Sequence, residues 1–227
     1  YQLDFDRDGA PEWVLESERL RLILQPEAGG SAVALVDKTT GTSLLTTVGG
    51  VRDAIVFATG RVAPIRAYRS EWVEGPNGPG VRMRSLAAEG EGATAVEKAI
   101  QIVAPETVEV EYRLRSAPPT EATGIQLEAL TSVPAQVHQE RSTRFCWTEG
   151  GEAEPRCADF QRDGPTVEVP ASAHRLEVRT AGSPGFAVEW KGGTMKIEMK
   201  EFSALLRLAL PATPEPQQVR YTILPPE

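Results

Sequence analysis

Hydrophobic residues recur at every second position along most of this chain, and that period decides what it can fold into. Leu20, Leu22 and Leu24 share one side, with Arg19 and Arg21 on the other. Val108, Val110, Tyr112 and Leu114 alternate with Glu109, Glu111, Arg113 and Arg115. Met195, Ile197 and Met199 alternate with Lys196, Glu198 and Lys200, and Leu206, Leu208 and Leu210 repeat the pattern. Successive side chains of an extended strand point to opposite faces, so each segment reads as a strand with one dry and one wet face. The same reading predicts strands at 31–36, 54–58, 65–73, 81–86, 124–132, 175–179, 186–190 and 219–224.

Turn residues punctuate these runs at Asp37-Lys38-Thr39-Thr40-Gly41, Gly75 to Gly80, Asp163-Gly164-Pro165 and Gly192-Gly193. The one stretch with a helical face, 94–103, fits a strand equally well through Val96, Lys98, Ile100 and Ile102. The short Pro105-Glu106 turn into the next run favours a hairpin. More than about a dozen strands with almost no helix predict an all-β chain, a large antiparallel sandwich.

A length of 227 residues allows one large β domain or two small ones. The softest boundary, 148–165, is polar and flanked by cysteine, but both sides look like the same kind of sheet. We expect residues 1–13 to form a loop leading into a single sandwich over 14–227. Thirty-two acids against 24 bases leave a net charge of −8, which argues against nucleic acid and anionic membranes as partners. No apolar run approaches the roughly 20 residues of a spanning helix, so no membrane insertion is expected.

The most legible chemistry lies at the start, in Asp4-Phe5-Asp6-Arg7-Asp8-Gly9-Ala10-Pro11-Glu12. Acids at every second position before a glycine form a ligand pattern for a hard cation. Asp4, Asp6 and Asp8 supply carboxylates, Ala10 a carbonyl, and Glu12 closes the shell, with Ca²⁺ the expected ion. An EF-hand would need its glutamate where Leu15 stands, and Pro11 does not open a convincing helix. The spacing resembles instead the calcium loops of FG-GAP repeats in β-propellers. The competing reading is an acidic, solvated turn.

Cys146 and Cys157 lie eleven positions apart across a Gly/Glu/Pro-rich segment. A disulfide closing that loop is expected, and with it an extracytoplasmic location, secreted or periplasmic. The chain starts at Tyr1 rather than Met, which suggests a cleaved signal peptide or a domain cut from a longer protein. A covalently linked neighbouring domain is therefore an expected partner.

Leu20–Leu24, the turn Pro26-Glu27-Ala28-Gly29-Gly30 and the strand Val33-Ala34-Leu35-Val36-Asp37 resemble the opening of galactose-mutarotase-like β-supersandwiches. There a strand, a P-x-x-G-G turn, a strand and a D-x-x-T-G turn follow one another. The closing stretches 202–211 and 216–224 resemble the final strand pair of that superfamily. It includes aldose epimerases and non-catalytic sandwich domains of glycoside hydrolases, so the resemblance implies a carbohydrate-related role.

The resemblance does not carry the activity over. Those enzymes use two histidines and a glutamate for proton transfer at the sugar ring, and the only histidines here are His138 and His174. Neither has a recognisable context as general acid or base. Glu128, on an otherwise apolar strand, is the single carboxylate that stands out for catalysis, and His138 is the other candidate; the competing reading of Glu128 is an acid on the outer face of an alternating strand. For a glycan contact the candidates are Trp147, in a loop-rich region, and Arg144. The reading that follows is a non-catalytic, carbohydrate-related sandwich domain; carbohydrate is its candidate ligand, although an aromatic content of 6% is low for a dedicated sugar-binding surface. The alternatives are a divergent epimerase or glycan-processing enzyme, and a structural or protein-interaction module.

Overall fold

The computed structural model describes the chain except residues 5–6, 47–50, 57–61, 66, 76–77, 86–94, 116–125, 136–142, 150–153, 212, 214 and 227. In chain order the first ten strands are β1 Gln2–Leu3, β2 Glu12–Glu16, β3 Leu20–Gln25, β4 Ser31–Asp37, β5 Thr42–Ser43, β6 Val51–Val56, β7 Val62–Pro64, β8 Tyr68–Gly75, β9 Gly78–Ser85 and β10 Ala95–Ala104. There follow β11 Thr107–Arg115, β12 Gln126–Pro134, β13 Thr143–Trp147, β14 Arg156–Cys157, a helical turn α1 Phe160–Asp163, and β15 Thr166–Val169. The chain closes with β16 Arg175–Thr180, β17 Gly185–Trp190, β18 Thr194–Met199, β19 Ser203–Pro211 and β20 Gln217–Leu224.

Two sheets take up all these strands. The first runs β1-β2-β3-β4-β6-β12-β19-β18-β15, with β5 beside β4 and β7 beside β6. The second runs β14-β13-β16-β17-β20-β11-β10-β9-β8. Every pairing among the described residues is antiparallel. The all-β sandwich expected from the alternation is the fold observed.

The dry faces meet as the period demands. Leu20, Leu22 and Leu24 from one end of the first sheet join Leu206, Leu208 and Leu210 from its far half in one cluster. Val108, Val110 and Tyr112 of the second sheet close on the same cluster. Burial of each such leucine contributes about 2 kcal/mol by removing its side chain from water. The ambiguous stretch 94–103 is the strand β10, hairpinned to β11 with Ala104 opposite Thr107.

Several boundaries differ from the sequence reading. The first residues join the sheet, with Gln2 opposite Trp13 and Leu3 opposite Glu12. The glycine-rich turn at 75–80 is tighter than its composition suggests, since β8 and β9 pair down to Gly75 opposite Gly78. The segment 148–165, the softest boundary in the sequence, holds β14 and α1. It is drawn into the second sheet because Cys157 pairs with Cys146 in β13. No helix among the described residues is long and apolar enough to cross a membrane.

Candidate functional site

Alternation along β12 turns Leu127, Ala129, Thr131 and Val133 toward the core, where all four are buried. Glu128 points the other way, onto the outer face of the first sheet. Cross-strand neighbours share a face. Opposite Glu128 stand Ala54 on β6 and Ala209 on β19, small side chains that leave the carboxylate in a hollow.

Arg207, two residues from Ala209 and so on the same face, donates from Nη1 to Glu128 Oε2 at 2.7 Å. Its Nε lies 3.3 Å from Glu198 Oε1 on β18 but off the hydrogen-bonding direction. Lys196 stands opposite Arg207, and Glu168 of β15 stands opposite Lys196. Two cations, Lys196 and Arg207, thus stand side by side, with Glu168 beyond Lys196 and with Glu128 and Glu198 flanking Arg207.

These five charged groups line a depression of about 690 Å³, closed at one side by Val169, Pro170 and Ala171. That volume falls within the roughly 300–1,000 Å³ usual for small-molecule sites. Carboxylate oxygens accept hydrogen bonds, while the guanidinium and ammonium groups donate them. A sugar hydroxyl does both, so a mixed-charge lining suits polyhydroxylated ligands. No aromatic ring is among the lining residues described. Any affinity for a sugar here comes from hydrogen bonds rather than stacking.

The residues singled out from sequence are dispersed. Glu128 is in the depression. His138 lies outside the described residues, and His174 is exposed on the approach to β16, where its carbonyl accepts the Trp190 N–H. Trp147 is not the exposed ring the loop-rich sequence around it suggested. It is only 7% exposed and belongs to the core cluster, because β13 is a true strand and alternation turns Phe145 and Trp147 inward. Arg144 points outward from the same strand, on the other sheet from Glu128.

The disulfide between Cys146 and Cys157 is formed as expected. Of the loop acids, Asp4 and Asp8 are exposed, and Asp6 lies outside the described residues. Asp8 Oδ1 accepts the Ala10 N–H at 2.8 Å, while Glu12 is buried in β2 with Gln25 donating to it at 3.3 Å. No cluster of three His, Cys, Asp or Glu placed to hold a metal occurs among the described residues.

Arg207, Glu198, Lys196 and Glu168 were missed as site residues. Their signal was present as single charges inside apolar strands, above all Arg207 within Leu205-Leu206-Arg207-Leu208. A charge there looks like an ordinary wet-face residue until the neighbouring strands are known.

The architecture is a galactose-mutarotase-like sandwich, as the likeness to solved structures shows. A galactose mutarotase-like protein from Clostridium acetobutylicum matches with a TM-score of 0.63 at 9% identity, over 98% of this chain and 97% of that one. The 4-alpha-glucanotransferase of Thermococcus litoralis matches with a TM-score of 0.64 at 12% identity, over 98% of this chain but 39% of that one. A bacterial glucoamylase solved with acarbose matches with a TM-score of 0.59 at 9% identity, over 93% and 32%. The chain therefore spans well under half of these two enzymes. No protein-family model and no curated protein sequence matches it.

Proposed function

We propose that this chain is a non-catalytic, carbohydrate-binding sandwich domain of a secreted or periplasmic carbohydrate-active protein. The observation that carries the reading is the mixed-charge depression around Arg207, on a sandwich whose structural neighbours include sugar-processing enzymes. Glu128 and Glu198 both address one guanidinium, so the carboxylates are organised as fixed acceptors around a donor. A glycosidase sets two carboxyl groups about 5–10 Å apart on either side of the scissile bond. Here the pair brackets a cation instead. No histidine lines the depression among the described residues. The disulfide supports an oxidising compartment, and the spacing of the first acidic loop supports Ca²⁺ as a structural ion.

Calorimetric titration with maltoheptaose, cellohexaose and mannohexaose tests the reading. One of them should bind, with affinity reduced in Arg207→Ala by loss of the site in the depression, while anomerisation of glucose and galactose stays at the uncatalysed rate. Catalysed anomerisation removed by Glu128→Gln would establish the epimerase alternative. Absence of binding to all three would favour the structural module.

A further inference from the structure

The opposite end of the first sheet carries an aromatic feature unconnected with the depression. Trp13 in β2 and Trp72 in β8 belong to different sheets and stack across the rim, with ring centroids 5.6 Å apart and planes inclined by 27°. Trp13 is nearly buried, and its indole N–H donates to Ser70 Oγ at 2.8 Å. Trp72 stands opposite the fully buried Val81, so it lies on the face of β8 that looks between the sheets, yet it stays 40% exposed. The cause is topological. β8 is the last strand of its sheet, and β2 is covered on its outer side only by the two-residue β1, so the rim is left open.

With one face of Trp72 covered by Trp13, its exposure falls on the opposite face and the ring edge. Glu74, two residues along on the same side of β8, accepts the Trp72 indole N–H at 3.3 Å. Gln2, in register with Trp13, is exposed on the same side of β1. A flat ring is thus held from behind by a second ring, with a carboxylate at its edge and an amide across the rim.

We propose that Trp72 is a stacking platform for one pyranose of a glycan, a contact separate from the depression around Arg207. A pyranose has an apolar C–H face that meets the electron-rich face of an indole, and equatorial hydroxyls that reach an adjacent carboxylate and amide. The ring is pre-positioned by Trp13, so little freedom is lost on binding. A protein partner is the poorer match. One ring beside the charged Glu74 falls far short of the roughly 800 Å² a stable interface buries on each side. β3, β4 and β6 separate β2 from β12, so this is a second site on the same domain. The inference rests on the carbohydrate reading but not on the depression.

Tryptophan fluorescence distinguishes the two sites, because Trp13, Trp147 and Trp190 are 9%, 7% and 5% exposed and Trp72 alone is open to a quencher. Maltoheptaose, cellohexaose and mannohexaose are titrated while acrylamide quenching is followed. Protection of Trp72 that saturates at about 1 mM of one oligosaccharide is expected. The protection should persist in Arg207→Ala, and the calorimetric affinity of this contact should weaken about tenfold in Trp72→Ala, with Trp72→Phe intermediate and thermal melts confirming that each variant folds. Binding lost in Arg207→Ala but unchanged in Trp72→Ala would leave the depression standing and overturn the platform. Calorimetric binding without any change in quenching would overturn it too. Protection that grows with protein concentration in the absence of sugar would assign Trp72 to a protein contact and likewise overturn it.

Discussion

Lys98 of β10 places its Nζ 2.5 Å from Asp53 Oδ2 of β6, joining the two sheets through the middle of the core. Neither side chain reaches solvent. Asp53 also accepts the hydroxyls of Tyr68 at 2.9 Å and Tyr112 at 3.0 Å. Lys98 also donates to the Gly30 carbonyl at 2.6 Å and lies 4.9 Å from the centre of the Tyr68 ring. Gly30 has φ near +61°, and an added Cβ would stand 2.5 Å from Tyr68 Cδ2, so that corner tolerates only glycine. The cluster is sealed from substrate. Its role is to fix how one sheet sits over the other.

Truncating one member of a sealed ion pair strands the other charge. Lys98→Met should therefore destabilise the domain by about 3–5 kcal/mol, measured by urea unfolding. The double variant Asp53→Leu, Lys98→Met should cost less than the sum of the single changes, since no buried charge remains. Additive losses would mean the pair does not interact as the geometry requires.

The same cluster shows what a single sequence discloses. Lys98 falls in the row Val96, Lys98, Ile100, Ile102, so its place on the dry face was legible from the period alone. Its partner was not, because Asp53 is 45 residues away on another sheet. The long strands were legible for the same reason: β3, β11, β18 and β19 carry enough alternating positions to define a face. The four residues of β15 and the two of β14 are too short to do so. Glu128 stood out because an acid interrupts an apolar strand. Arg207 interrupts one equally, but only the β12–β19 register brings the two together.

Alkaline pH should unfold the domain through its tyrosines. Burial pushes the Tyr221 phenol up from 10.0 to about 12, with the charge of Asp53 adding to the effect. Burial and Asp53 likewise hold Tyr68 and Tyr112 well above the ordinary value. A phenol whose folded pKa exceeds its unfolded one favours folding while it is protonated. That contribution is complete below about pH 10 and is lost as the pH rises through 12. Ultraviolet titration of phenolate should show Tyr1 ionising first and the other three only with the cooperative loss of circular dichroism. Four phenols titrating in the folded protein would contradict their burial.

Reduction of Cys146–Cys157 releases β14 from the edge of the second sheet. The bond closes a short loop between paired strands, so its loss should cost about 2–3 kcal/mol. Denaturation with and without reductant measures this, and the Cys146→Ser, Cys157→Ser variant should match the reduced protein. Because β13 remains paired with β16, the rest of the sheet should persist.

The first acidic loop makes the remaining prediction. Gly9 adopts φ near 91°, a turn conformation suited to gathering the carboxylates that precede it. Glu12 is instead engaged within the sheet by Gln25, so the calcium site proposed for this loop would draw on the aspartates and the Ala10 carbonyl. Fewer charged ligands mean a weaker site, with a dissociation constant of about 10⁻⁴–10⁻³ M, the range of extracellular modules. Calorimetry should detect one Ca²⁺ per chain, abolished in Asp8→Ala and little changed in Glu12→Gln. A site that needs Glu12 would require β2 to open at its first residue, and loss of calcium binding in Glu12→Gln would reveal that rearrangement. If neither heat nor a thermal shift accompanies calcium, the loop is an acidic turn that caps the entry to β2.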